Sequence, residues 1–228
     1  MVDLTTSTQR DLADLVKSNL AKTGEVIAAE FQSAGRGRLD RSFDAAPNSA
    51  LLFSFYISPK RARSDWGFIA HLAALTMYEV ITLDLSEKVW LKWPNDILIG
   101  QMKVAGLLAQ VTDEGLIVGI GINVAMATQE LPVETATSLA ISGSNQLDRN
   151  VILSRFLNAF ENNFAKWDEG ADFVNCYSQV CSTLGREVQI EVSGRENRTG
   201  IAKSINKSGA LVLEDGFEVN VGDVVHLR

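Results

Sequence analysis

Two cysteines, two histidines and four prolines are all that the 228 residues hold of these types, and each scarcity removes a class of protein. Cys176 and Cys181 share one helical pattern at a spacing that suits neither a metal site nor a disulfide framework, so reduced thiols in a cytoplasmic protein are expected. His71 and His226 have no nucleophile placed with them in the sequence and are read as structural. No apolar run approaches the ~20 residues of a membrane span. The opening Met1-Val2-Asp3-Leu4-Thr5-Thr6 lacks the basic-then-apolar order of an export signal, so neither export nor membrane is expected. Basic residues are short as well: 21 Lys and Arg against 28 Asp and Glu give a net charge of −7. With a pI near 4.9, nucleic acid is not expected as a partner.

What is present is globular. An apolar content of 46% over this length suits one mixed domain with a small appendage, or two domains of unequal size. After Ser7-Thr8, Leu12, Leu15, Val16 and Leu20 recur at helical spacing, predicting a helix that ends near Gly24. Val26 to Ala29 and Leu51 to Ile57 read as strands, and Phe68, Leu72, Leu75 and Met77 mark a helix running to about Leu83. Short strands are expected at Val89 to Lys92 and Asp96 to Ile99, then a hairpin from Val104 to Val111 and Leu116 to Ile122. Residues 131 to 150 read as a connection with a helical turn at Ser138-Leu139. Two helices follow, marked by Leu153, Phe156, Leu157, Phe160, Phe164 and Trp167, and by Phe173, Val174, Tyr177, Val180 and Cys181. The rhythm then changes to period two. Five short strands from Val188 to Leu227, split by glycine-bearing turns, predict a small β-barrel, with the boundary at residues 182 to 185. Trp66, Trp90 and Trp167 are read as core or interface residues, and 194 to 198 as a solvated turn.

Within this frame, Gly35-Arg36-Gly37-Arg38-Leu39-Asp40-Arg41 alternates permissive backbone with guanidinium forks in an acidic chain. Glycines let backbone N–H groups approach an anion, and each arginine offers a permanently charged planar donor set. Lys92-Trp93-Pro94-Asn95-Asp96 ends a strand at a turn from which the Asn-Asp pair projects. Lys103-Val104-Ala105-Gly106 places a point charge beside small residues over which a ligand can pass. Gly119-Ile120-Gly121-Ile122-Asn123 closes another strand with glycines and one amide. Each is weak alone, since a basic tract is more often a solvated patch and Asn-Asp after Pro is ordinary turn chemistry.

Taken in order with Ser7-Thr8-Gln9 and Gln32, these segments resemble the signature of the biotin protein ligases, and the likeness runs through Asn206 to Leu213 of the terminal barrel. The resemblance implies an α+β fold of the class II aminoacyl-tRNA synthetase and biotin ligase type. Its mixed, largely antiparallel sheet with helices would form a catalytic domain over 1–183, followed by a Src-homology-3-like β-barrel over 184–228. It also implies a two-step reaction, in which biotin and MgATP give biotinyl-5′-AMP and the acyl group passes to one lysine of a biotin carboxyl carrier domain. By resemblance, Lys103 and Arg38 are catalytic at the carboxylate and α-phosphate. Ser7, Thr8, Gln32, Gly35, Arg36, Arg41 and Gly106 would bind biotin or its adenylate. Phe43, Asn95, Asp96 and Asn123 would serve the nucleotide, with Asp96 able to hold Mg²⁺. A monomer or a weak, ligand-linked homodimer is expected.

Three residues depart from the family pattern: Asp40 where glycine is common, Phe43 where tryptophan is common, and Gln9 where asparagine is usual. Asp40 would stiffen the loop or pair with Arg41; Phe43 keeps an apolar face for adenine but drops the indole donor. Three alternatives stand beside this resemblance. A lipoate or octanoyl transferase would share the fold and a lysine like Lys103, but its glycine-rich motif with histidine is absent. A biotin-dependent repressor would need a helix-turn-helix ahead of Ser7, for which six residues leave no room. A biotin-binding module without catalysis would not need Lys103, Asp96 or the arginine loop.

Overall fold

A computed structural model describes residues 1–38, 41–191, 197–220 and 222–227. The described residues form two sheets and four α-helices, the larger sheet running β1-β2-β3-β7-β6-β5-β4. Its strands are β1 (Val2–Thr5), β2 (Val26–Gln32), β3 (Ala50–Ile57), β4 (Val89–Lys92), β5 (Asp96–Ile99), β6 (Met102–Val111) and β7 (Leu116–Asn123). Only the β1–β2 pair is parallel; every other neighbour in this sheet is antiparallel. The fold is thus the mixed, largely antiparallel α+β arrangement expected from the sequence.

The central strand β3 explains how the sheet divides its two faces. Side chains alternate with period two, so Leu51, Phe53, Phe55 and Ile57 enter the main core while Tyr56 joins the cluster under helix α1 (Thr8–Lys17). Ser54, on the same face as Tyr56, meets Thr8 of that helix. Leu12 and Ala13 of α1 pack there with Ile117 of β7. The opposite face is covered by α2 (Ile69–Thr82) and α3 (Arg149–Asp168), which pack on each other. Asp148 caps α3 by accepting from the backbone N–H groups of Asn150 and Val151. Phe156 stacks on Phe160 at 5.5 Å and meets Phe53 edge-on at 5.3 Å, tying the helix to β3.

Helix α4 (Val174–Val180) leads into a second, five-stranded antiparallel sheet of order β11-β10-β9-β8-β12. Its strands are β8 (Glu187–Glu191), β9 (Arg198–Ile205), β10 (Leu211–Leu213), β11 (Glu218–Val219) and β12 (Asp223–His226). One contiguous apolar cluster runs from the first sheet through Tyr177 and Cys181 to Val188, Ala202 and Leu211.

Several local expectations need correction. Helix α1 stops at Lys17, Ser18 caps it and Asn19 takes φ 55°, so the left-handed turn comes before Gly24 and Leu20 is 67% exposed rather than core-facing. Strand β1 escaped the sequence reading because its apolar residues point to solvent: Val2 is 41% and Leu4 64% exposed. Strand β11 spans Glu218–Val219, without the expected Phe217 and Asn220, and the Val221 end of that expectation lies outside the described residues. The expectations for Leu39, Asp40, Val192 and the 194–196 turn lie outside the described residues. Among the described residues, no helix is long and apolar enough to cross a membrane.

The aromatic tie between α3 and β3 yields a stability prediction. Phe156→Ala removes a ring with no solvent exposure from between Phe53, Phe55 and Phe160. Urea unfolding is expected to show a loss of about 3–5 kcal/mol; Leu153→Ala, on the partly buried side of the same helix, should lose clearly less.

Candidate active site

A cavity of about 240 Å³ opens on the face of the large sheet where α1 begins. Its floor is built from alternate residues of β3 and β7 together with β6. Leu52, Ser54, Gly119 and Gly121 present small or apolar surface, and Thr8 at the start of α1 closes one side. Gln32, the last residue of β2, is held by Thr8: its Oε1 accepts from the Thr8 backbone N–H at 2.8 Å and from Thr8 Oγ1 at 3.0 Å. With the carbonyl thus committed, the amide's two N–H donors remain for other partners. Gln9 Nε2 donates to the Leu108 carbonyl at 3.2 Å, so the departure from asparagine retains a contact to the floor.

Glycines at two positions are explained by close approach. A Cβ on Gly35 would stand 2.3 Å from the Phe43 carbonyl, where the Phe43 N–H donates back to Gly35 O at 3.0 Å and closes the base of the arginine loop. A Cβ on Gly121 would strike the Phe43 ring at 2.7 Å, so the ring lies over bare backbone. Phe43 therefore forms part of the wall from the loop side.

The charged groups come from three separate segments. Strands β5 and β6 place Asp96 opposite Gly106, and Lys103 Nζ reaches back to Asp96 Oδ1 at 2.6 Å. A Cβ on Gly106 would lie 3.3 Å from Lys103 Cε and Nζ, so glycine leaves this ion pair its room. The Lys103 backbone is fixed by the 131–150 connection: its N–H donates to Thr135 O and its carbonyl accepts from Thr137 N, both at 2.8 Å. Asn95 Nδ2 donates to Leu107 O at 2.7 Å, which pins the turn onto β6. Arg38 donates to the Gly222 carbonyl at 3.2 Å and Arg41 pairs with Asp223 at 2.5 Å, so the arginine loop is held by the small sheet. Burial lowers the Arg38 pKa below its ordinary value, while Asp223 and Asp96 favour its charge and Arg41 opposes it.

Of the residues singled out in the sequence, Ser7, Thr8, Gln32, Arg36, Arg38, Arg41, Phe43, Asn95, Asp96, Lys103 and Gly106 all line this one cavity. Gly35 and Asn123 do not. Gly35 supports the loop from outside, as described, and Asn123 is 5% exposed with its Nδ2 donating to Thr137 O at 2.9 Å. Asn123 thus braces the segment that holds Lys103. The sequence reading missed Ser54, Glu191 and Asp223, which also line the cavity. Ser54 carried a signal, being the single polar residue within Leu51 to Ile57. Glu191 and Asp223 carried none, since only the fold brings the small sheet to the site.

The profile of the Biotin/lipoate A/B protein ligase family matches residues 1–126. A biotin–[acetyl-CoA-carboxylase] ligase of Mycobacterium tuberculosis is 34% identical over 239 aligned residues, covering 100% of this chain and 88% of the relative. The ligase of the same name from Paracoccus denitrificans is 29% identical over 226 residues, covering 93% of this chain and 92% of the relative. Among solved structures, biotin protein ligase from Aquifex aeolicus in complex with biotin and ATP matches with a TM-score of 0.82 at 29% identity, covering 100% of this chain and 97% of that one. The chain belongs to the Biotin/lipoate A/B protein ligase family.

Neither histidine lines the cavity: His71 is on α2 and His226 on β12. His71 is buried, stacks on Phe68 at 5.6 Å and meets Tyr177 edge-on at 4.9 Å. His226 Nε2 lies 3.1 Å from Thr183 Oγ1, which also accepts from the Trp93 N–H at 3.0 Å. Burial is the main cause that pushes each histidine down to about 4 from an ordinary 6.5, with a smaller opposing contribution at His71 from the Gly67 carbonyl. A base whose folded value lies below its unfolded value is protonated preferentially in the unfolded chain. Its contribution is therefore complete at neutral pH and is lost as pH falls from about 6.5 towards 4. Stability should fall in that window with a slope of at most about 1.4 kcal/mol per pH unit for His71, and less for half-exposed His226. His71→Phe, which keeps a ring among rings, should flatten the slope measured by urea unfolding between about pH 7 and 4.5; an unchanged slope would exclude His71 as its source.

Proposed function

We propose that this chain is a biotin protein ligase. It activates biotin with MgATP to biotinyl-5′-AMP and pyrophosphate, then transfers the biotinyl group to a lysine of a biotin carboxyl carrier domain. The observation that carries this reading is the convergence, on one cavity, of the polar group around Thr8 and Gln32 with Lys103, Asp96, Arg36, Arg38 and Arg41. A carboxylate resists attack by an amine, so a mixed anhydride must form first. The charge that develops at the α-phosphate needs fixed cations in a site that excludes water. Lys103 suits that task because its backbone is locked on both sides and its side chain is steered by Asp96.

The head of biotin is neutral and flat, and it requires paired donors and acceptors. Thr8 and Gln32 offer these in an arrangement held by hydrogen bonds between them. Asp96 would contribute one oxygen to the magnesium of MgATP: a carboxylate has acceptor capacity beyond its single contact with Lys103, and magnesium completes its shell with phosphate oxygens and water. Phe43 would give adenine an apolar face. The acceptor is a carrier domain of acetyl-CoA carboxylase type, by analogy with the named relatives. Work in the cytoplasm, a 1–183 catalytic unit with a 184–228 appendage, and a monomer or weak ligand-linked dimer belong to the same proposal.

Biotin, lipoate and octanoate, each supplied with MgATP, separate this reading from its family neighbour. Pyrophosphate release is expected with biotin alone; release with lipoate and none with biotin would overturn the assignment. Lys103→Ala is expected to slow adenylate formation by about 10²-fold or more while changing biotin affinity much less, because its charge acts mainly on the transition state. Equal losses in both measurements would place Lys103 in ground-state binding instead.

A further inference from the structure

The small sheet closes one side of the cavity. Glu191 of β8 and Asp223, Val224 and Val225 of β12 line it, and two of the three loop arginines are fastened to this wall. Arg38 Nη2 donates to Gly222 O across 184 positions of sequence, and Arg41 Nη2 lies 2.5 Å from Asp223 Oδ2. The two partners of the ion pair differ in surroundings. The Arg41 side chain is 66% exposed and loses little by turning away, whereas that of Asp223 is 14% exposed, with its Oδ2 buried. Lys103 is treated alike, its ammonium held by Asp96. Two cations that face the cavity are thus already held by carboxylates of the protein.

We propose that Asp223 is a positioning residue for the nucleotide. Its carboxylate stands in for phosphate oxygens, holds the Arg41 end of the loop on β12 while the site is free, and gives up Arg41 when a nucleoside triphosphate binds. The inference rests on the adenylating function proposed above. An incoming triphosphate supplies several anionic oxygens where Asp223 supplies one buried carboxylate, so the exchange favours the ligand once it is present and opposes stray anions when it is absent. Asp223 therefore competes with nucleotide for Arg41. Release of the pair frees the Arg41 end of the loop from β12, while the Arg38 contact to Gly222 is a separate tie to the small sheet. The groups facing Asp223 are Arg41 through the ion pair and Arg38, whose charge it favours.

Asp223→Asn keeps the shape and removes the charge. The KM for ATP in pyrophosphate release is expected to fall about two- to fivefold, the range of one partly exposed ion pair, with kcat within about twofold. Without ligand, trypsin should cut the loop after Arg38 or Arg41 several-fold faster in Asp223→Asn than in the wild type, and Asp223→Glu should restore wild-type cleavage. An unchanged or raised KM for ATP together with unchanged cleavage would overturn the proposal. Should Asp223→Asn not fold, the wild-type protein decides: raising salt from about 0.05 to 0.5 M must speed loop cleavage relative to a small peptide substrate, because screening weakens the pair. No acceleration would count against it. A wild-type protein that releases no pyrophosphate from biotin and MgATP would refute the function proposed above, and the cleavage measurements, which need no substrate, would still judge the pair.

Discussion

The seating of Trp93 is the constraint on which the rest of the structure depends. Its side chain is 1% exposed, its indole N–H donates to the Gly209 carbonyl at 2.9 Å and its backbone N–H donates to Thr183 Oγ1 at 3.0 Å. Gly209 lies in the turn between β9 and β10 and Thr183 just before β8, so one residue of the β4–β5 turn is gripped at two points of the small sheet. A buried indole donor must find a partner, and here the partner comes from a distant part of the chain. The position of Asn95 and Asp96, two and three residues further on, follows from that grip. So does the presence of β12 at the cavity, because the sheet that holds Trp93 also carries Asp223.

A second level of order is electrostatic. The protein is acidic as a whole, yet Arg36, Arg38, Arg41 and Lys103 face one cavity. Gathering so many cations costs energy through mutual repulsion; the pKa of Arg38 is lowered mainly by burial, Asp223 and Asp96 oppose that fall, and Arg41 adds the smallest contribution to it. Asp96 and Asp223 offset that cost in the free site, one from each sheet. The carboxylates also orient the cations, so the arrangement that favours folding is close to the one that would receive phosphate.

The fold was legible from periodicity wherever one face of an element is buried. The full burial of β3 and the stripes of α3 left little choice, and the predicted segments there agree closely with the observed ones. Periodicity failed where burial is absent: β1 exposes its apolar residues, and Leu20 kept the helical rhythm of α1 after the chain had already turned at Asn19. The cavity was legible for a different reason. Its residues lie in short segments whose order is distinctive, and eleven of those named from sequence line it. Asn123 lies outside that lining, because a segment signature gives proximity without direction: it ends β7 with its Nδ2 donating to Thr137.

Asp223 illustrates the remaining gap. Nothing in Gly222-Asp223-Val224 distinguishes it from a surface turn leading into a strand, and its meaning arises only when β12 pairs with β8 and the small sheet reaches the loop. An appended sheet has two distinct ways to affect a neighbouring site: it can hold the site's framework, as Thr183 and Gly209 do, or it can place a charge within the site, as Asp223 does. The first role is satisfied by hydrogen bonds that persist whatever the ligand, since neither Trp93 donor points at the cavity's charges. The second cannot be independent of ligand, because a carboxylate beside arginines and an anionic substrate are alternatives for the same donors. A small sheet bearing both kinds of contact is therefore anchored at Trp93 and responsive at β12, and that division lets one part of it answer the nucleotide without loosening the turn that carries Asp96.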